Sequence, residues 1–151
     1  MIAGKPRKSG GFTLIELLVT IAVAAIMATI AVPGFQNMMA SNRLASDHNE
    51  ILAGLNLARS EAIKRRQEVD FEITTGPPWG YEITLGSDSD SDPLRVRSGS
   101  RGDLSFEGGS SVTFNSLGRA PACSSGCVLK ITHSAGSREI NINSFGRIGR
   151  G

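Results

Sequence analysis

Between residues 12 and 35 the chain carries one charged side chain, Glu16, in 24 consecutive residues. A helix of that length, at ~1.5 Å per residue, crosses a hydrocarbon layer of roughly 30 Å. Ahead of it lie eleven residues with Lys5, Arg7 and Lys8 and no acid. A basic flank held in the cytoplasm points the C-terminal end of such a helix outward. An ordinary secretory signal places its small residues after an apolar core of about 7–15 residues. Here the small pair, Gly10-Gly11, comes first. Cleavage after Gly11 would therefore leave the helix on the mature protein and remove the three basic residues. Glu16 is a second anomaly, because an unpaired carboxylate in apolar surroundings is costly and acids inside a span usually have a partner and a function. After a cut at Gly11, the nearest cation is the new α-amino group of Phe12.

The segment Gly11-Phe12-Thr13-Leu14-Ile15-Glu16 resembles the class III signal of type IV pilins and type II secretion pseudopilins. The resemblance implies that a prepilin peptidase cuts after Gly11 and methylates Phe12. It also implies that Glu16 neutralises the N-terminal amine of a neighbouring subunit during assembly. The implied partners are other major and minor pilins, that peptidase and an inner-membrane assembly platform. The implied location is the bacterial inner membrane, single-pass with a periplasmic head, and then a surface fibre. An ordinary single-span anchor is the alternative.

The expected organisation is a leader over 1–11, a transmembrane and assembly half-helix over 12–35, an amphipathic half-helix over 36–66, and a β-rich head with a basic tail over 67–151. With leader and membrane half set aside, ~110 residues remain, enough for one small core. The net charge of +2 is misleading because the leader carries +3 of it. Residues 12–118 hold 8 basic and 13 acidic side chains, whereas residues 119–151 hold Arg119, Lys130, Arg138, Arg147 and Arg150 against Glu139 alone. The last part of the chain is thus basic on an otherwise acidic protein. Cys123 and Cys127 are spaced C-x3-C. In an exported head that pair reads as a disulfide closing a small loop. A zinc site needs more ligands than His133 adds, and no metal or other cofactor is expected.

Pro33-Gly34 marks a break or bend in the helix. Beyond it Leu44, His48, Ile51, Leu55, Ala58 and Ala62 step by four and three and share one face. Leu52 and Ile63 widen the stripe, while Arg43, Asp47, Asn49, Arg59 and Arg66 are expected mostly off it. The helix is expected from residue 12 to about 66, near ~80 Å long, with Lys64-Arg65-Arg66 suiting its C-terminus. From Glu68 the period becomes two. Strands are expected at 69–74, 81–85, 94–97, 104–107, 112–115, 128–132 and 139–142. The fold class is α+β, pilin-like, with a long N-terminal helix packed on an antiparallel β-sheet head. The 86–93 stretch carries three alternating aspartates. It fails the EF-hand pattern, since Pro93 and Gly99 stand where a glycine and a glutamate belong, and it reads as a solvated loop.

The two histidines lie 85 positions apart, neither beside a nucleophile motif, and there is no phosphate-binding glycine loop. The chain reads as a substrate of enzymes and not as one. Ser41-Asn42-Arg43-Leu44, the 57–65 segment, Phe114-Asn115-Ser116-Leu117-Gly118-Arg119 and residues 140–147 are similar to the GspH/FimT/FimU subgroup. That similarity implies a minor subunit at or near a fibre tip that helps to start assembly. Some FimT-like members bind DNA in natural transformation through a C-terminal Gly-Arg-x-Arg element. This chain ends Gly146-Arg147-Ile148-Gly149-Arg150-Gly151, with one extra glycine between the arginines. A basic tail attracts double-stranded DNA without sequence preference, and the alternative is a pair of solvated arginines at a frayed, glycine-rich terminus. A GspH-type pseudopilin of a type II secretion system remains the rival assignment.

Overall fold

The computed structural model describes residues 11–74, 78–86, 92–99 and 105–151, with backbone alone for 105–108. Residues 1–10 of the leader and residues 87–91 of the acidic loop lie outside the described residues. The chain divides into two compact units, Met1–Met38 and Met39–Gly151.

One helix, α1, runs Leu14–Arg65. It starts two residues later than expected and continues through Pro33. In the first unit every described side chain is exposed. A helix segment apolar on all sides needs a lipid or protein surround that the chain itself does not supply. Its hydroxyls do not ask for water: Thr20 Oγ1 donates to Leu17 O at 2.8 Å and Thr29 Oγ1 to Ile26 O at 2.7 Å. Such back-bonding satisfies a hydroxyl inside an apolar medium. The helix is long and apolar enough to cross a membrane.

In the second unit the stripe Leu44, His48, Ile51, Leu55, Ala58 and Ala62 is buried as expected. Two neighbours depart from the expectation. Asp47 is buried rather than off the face, and Ile63 is 48% exposed rather than part of the stripe. The helix stops where Arg66 takes φ 55°, with Gln67 N–H bonded to Ala62 O at 3.3 Å. This is the left-handed C-terminal turn that satisfies a late carbonyl.

The head is antiparallel, as expected, and holds two four-stranded sheets. The first joins β1 (Val69–Thr74), β2 (Gly80–Leu85), β3 (Arg95–Ser98) and β5 (Ser111–Phe114) in the order β3-β2-β1-β5. The second joins β4 (Ser105–Gly108), β6 (Cys127–His133), β7 (Gly136–Ile142) and β8 (Ile148–Arg150) in the order β4-β6-β7-β8. A 3-10 turn, Pro121–Cys123, lies between β5 and β6. Proline lacks the N–H that a strand must donate, which favours a break in the ladder there.

Alternation carries Val69, Phe71, Ile73, Tyr81 and Ile83 inward from the first sheet, and Leu129, Ile131, Ile140 and Ile142 from the second. They form one core with Ile51, Leu55, Ala58 and Ala62 of α1. Each large side chain so buried contributes ~1.5–3 kcal/mol. Gly54 brings the helix close. A Cβ there would sit 2.8 Å from ring carbons of Phe71 and of Tyr81, whose rings lie 5.0 Å apart.

The tail is the main correction. Residues 148–150 are not frayed but form β8, paired with β7 as Ile142↔Ile148, Asn141↔Gly149 and Ile140↔Arg150. Gly149 sits in this edge strand with nothing within 4 Å of a notional Cβ.

Candidate assembly and nucleic-acid interfaces

The processing signal is built by a helix start. Gly11, Phe12 and Thr13 precede the helix and are exposed. Thr13 Oγ1 accepts the Glu16 N–H at 3.3 Å, and Thr13 O accepts the Leu17 N–H at 3.2 Å. Thr13 is therefore the N-cap and Glu16 the third helical residue, the spacing of a capping box. The Gly11–Phe12 bond thus lies in non-helical, accessible chain. The Glu16 carboxylate lies in the first turn, where the helix dipole favours negative charge. The T-x-x-E spacing, Thr13 to Glu16, is the signal in the sequence that marks this cap.

At the basic end of the chain a five-residue repeat folds twice. Residues 115–119 read Asn-Ser-Leu-Gly-Arg and residues 143–147 read Asn-Ser-Phe-Gly-Arg. Both fold into the same turn. Asn115 Oδ1 accepts from Leu117 N and Arg119 N, each at 3.0 Å. Asn143 Oδ1 accepts from Phe145 N at 3.1 Å and Arg147 N at 2.9 Å. The glycines follow suit, with Gly118 N–H bonded to Asn115 O and Gly146 N–H to Asn143 O. An asparagine that organises its own backbone and a glycine at positive φ, here 70° and 74°, are the chemistry of tight turns.

The two turns lie against each other. A Cβ on Gly146 would fall 1.8 Å from Gly118 O. Ala120 N–H bonds Ser144 O at 3.1 Å, and the Arg119 guanidinium lies 5.5 Å from the Phe145 ring centre. From the helix, Arg59 Nε donates to Gly118 O at 3.0 Å. This anchoring explains why Arg59 is half-buried.

The five basic residues of the tail region do not form one cluster. Arg119 and Arg147 belong to the twin turns. Arg138 and Arg150 line a cleft of about 370 Å³ with His48 and Glu139. There Arg150 Nη2 donates to Asn49 Oδ1 at 3.2 Å. Lys130 sits opposite Glu139 in the β6–β7 register. His48 Nε2 lies 3.3 Å from Glu139 O, so the histidine ties helix to sheet. Cys123 and Cys127 form the expected disulfide. Among the described residues no His, Cys, Asp and Glu group suits a metal ion.

Buried Asp47 has its carboxyl raised above the ordinary value of 3.8, chiefly by desolvation; His133, the Trp79 indole and Arg43 pull it partly back. A raised carboxylate disfavours folding once it ionises, so its cost is absent below pH 3.8 and appears as pH rises through the folded value. Asp47→Asn should therefore raise the urea midpoint at pH 7, and the gain should vanish at pH 3.

The geometry combines an exposed, non-helical Gly11–Phe12 junction, a capped apolar helix and a disulfide-bonded β head. The profile of the family described as "Type II transport protein GspH" matches residues 47–146, and that of the "Prokaryotic N-terminal methylation motif" matches residues 6–32. The chain belongs to the GspH family of type IV pilin-like proteins, in the GspH/FimT/FimU group. Its fold matches a crystal structure of the type IV minor pilin FimU of Pseudomonas aeruginosa with a TM-score of 0.63 and 27% identity, covering 76% of this chain and 92% of that one. A second crystal form of FimU matches with a TM-score of 0.60, over 72% and 92%. The type IV major fimbrial protein FimA of Dichelobacter nodosus is 26% identical over 138 residues, which is 89% of this chain and 73% of FimA. A fimbrial protein of Pseudomonas aeruginosa is 37% identical over 76 residues, 50% of this chain and 47% of that protein.

Proposed function

We propose that the chain is a minor subunit of a type IV pilus, held in the inner membrane with its head in the periplasm until incorporation at or near the fibre tip, where it primes assembly. The observation that carries this reading is the helix start. A bond open to a peptidase, an acid in the first turn and an apolar helix uncovered by its own chain are what a subunit packed among other such helices requires. The subunit is then a building block acted on by the prepilin peptidase and an assembly platform, not a catalyst. The description of the family favours a second reading, a minor pseudopilin of a type II secretion system, which would share the helix and serve secretion.

The finer role is contact with double-stranded DNA. Its support is charge: Arg147 and Arg150 are exposed at the end of the head, now held by a turn and a strand rather than a loose tail. Pre-ordered guanidiniums lose less freedom on meeting phosphates. The mature chain in detergent should bind duplex DNA with an affinity that falls with salt. In Arg147→Ala/Arg150→Ala the log–log salt slope should shrink by about one to two phosphate contacts. Absence of binding at low salt would retire the DNA role and leave the assembly role standing.

A further inference from the structure

Six large apolar side chains are exposed among the described residues of the second unit: Met39, Ile63, Val96, Leu117, Val128 and Phe145. Three of them belong to or border the twin turns. Ile63 Cδ1 would lie 2.6 Å from a Cβ on Gly118, Leu117 precedes that glycine, and Phe145 precedes the Gly146 that touches Gly118 O. Leu117 and Phe145 are 71% and 67% exposed. Exposed Arg119 and Arg147 flank them, and no carboxylate lies in either turn or within two residues of it. An apolar pair bordered by arginines, held on backbone that hydrogen-bonds internally, is a surface shaped for a protein contact.

The same chain carries the complement. On the outer face of the first sheet, Asp70 and Glu72 alternate along β1, and Glu72 lies directly opposite Glu82 of β2. Like charges paired across strands are unfavourable and gain from a cationic visitor. A groove of about 340 Å³ runs there, with Asp70 and Glu72 beside Thr84, Leu85, Ser111 and Thr113. We infer that the twin turns of one copy dock on the acidic outer face of β1, β2 and β5 of a second copy, with Phe145 and Leu117 entering the groove and Arg119 and Arg147 meeting Asp70 and Glu72. Two different patches are used, so the contact between the two copies is head-to-tail. It extends the assembly reading by naming a surface. DNA phosphates would compete for Arg147, but Arg150 lies outside the patch.

Charge exchange between two variants tests the pairing, by sedimentation of the mature full chain in detergent at low salt. Any association through the membrane helices is common to all samples and cancels. The wild type should self-associate, less so as salt rises. Arg119→Glu/Arg147→Glu alone and Asp70→Lys/Glu72→Lys alone should each associate at least about tenfold more weakly. An equimolar mixture of the two should recover the wild-type affinity, because each now presents what the other lacks. Phe145→Ser should weaken association with charges intact, and circular dichroism checks that each variant keeps its fold. Equal behaviour of all samples would overturn the inference, as would weakened variants that the mixture fails to rescue. The measurement contains neither pili nor DNA, so its failure is separate from failure of the proposed function.

Discussion

Gly146→Ala is expected to lower the stability of the head by about 3 kcal/mol, seen as a fall in urea midpoint at unchanged slope. Two costs combine. At φ 74° an alanine gives up ~1–2 kcal/mol relative to glycine. Its methyl would also lie 1.8 Å from Gly118 O, a backbone atom that cannot swing aside as a side chain can. The twin turns would have to part, straining the Ala120–Ser144 hydrogen bond and the Arg119–Phe145 contact, at a further ~1–3 kcal/mol of overpacking. Gly126 provides the control, with φ 89° and nothing within 4 Å of a notional Cβ. Gly126→Ala should cost only the conformational part, ~1 kcal/mol. Equal losses at both positions would mean that the turns do not depend on their mutual contact.

The sequence was most readable where one period ran long. The 4–3 spacing from Leu44 to Ala62 named the buried helix face, because a repeat over several turns leaves little ambiguity. The strands were legible as elements, yet their division into two sheets was not, since alternation records which side chains face inward but not which neighbour supplies the hydrogen bonds. β7 begins at Gly136 rather than residue 139 because Ser137 and Arg138 pair with Thr132 and Ile131 without burying an apolar side chain.

The same limit hid β8. Ile-Gly-Arg has no hydrophobic pattern of its own, and the segment is a strand because β7 offers an unpaired edge and the Asn143 turn reverses the chain onto it. Composition names the basic residues but has no geometry. Only the register and the turns separate Arg119 and Arg147 from Arg138 and Arg150, and set Lys130 opposite Glu139. Asp47 is buried for a related reason: on a helix beside two sheets the covered arc is wider than the apolar stripe, and one carboxylate is enclosed with it. The twin turns are legible in the sequence, because a five-residue repeat with Asn first and Gly fourth carries its own mechanism.

Glu16→Ala and Glu16→Gln should both leave cleavage after Gly11 intact and both reduce incorporation into fibres more than tenfold, a loss of at least ~1.4 kcal/mol per assembly step. The pair matters because Glu16 combines a capping-box spacing with a carboxylate in the first turn. As the third residue after the Thr13 N-cap it stands at the capping-box position, where glutamine serves as well as glutamate does. As a carboxylate it can neutralise a neighbour's N-terminal amine, and glutamine cannot. The energies differ in scale: either substitution keeps the Glu16 backbone N–H on Thr13 Oγ1, whereas a buried charge stripped of its partner costs ~3–5 kcal/mol. If capping were the whole role, Glu16→Gln would assemble like the wild type and only Glu16→Ala would fail. Quantifying processed subunit in membrane and sheared-fibre fractions separates the two roles. Failure of Glu16→Gln despite normal processing assigns the charge to assembly and leaves the cap to Thr13.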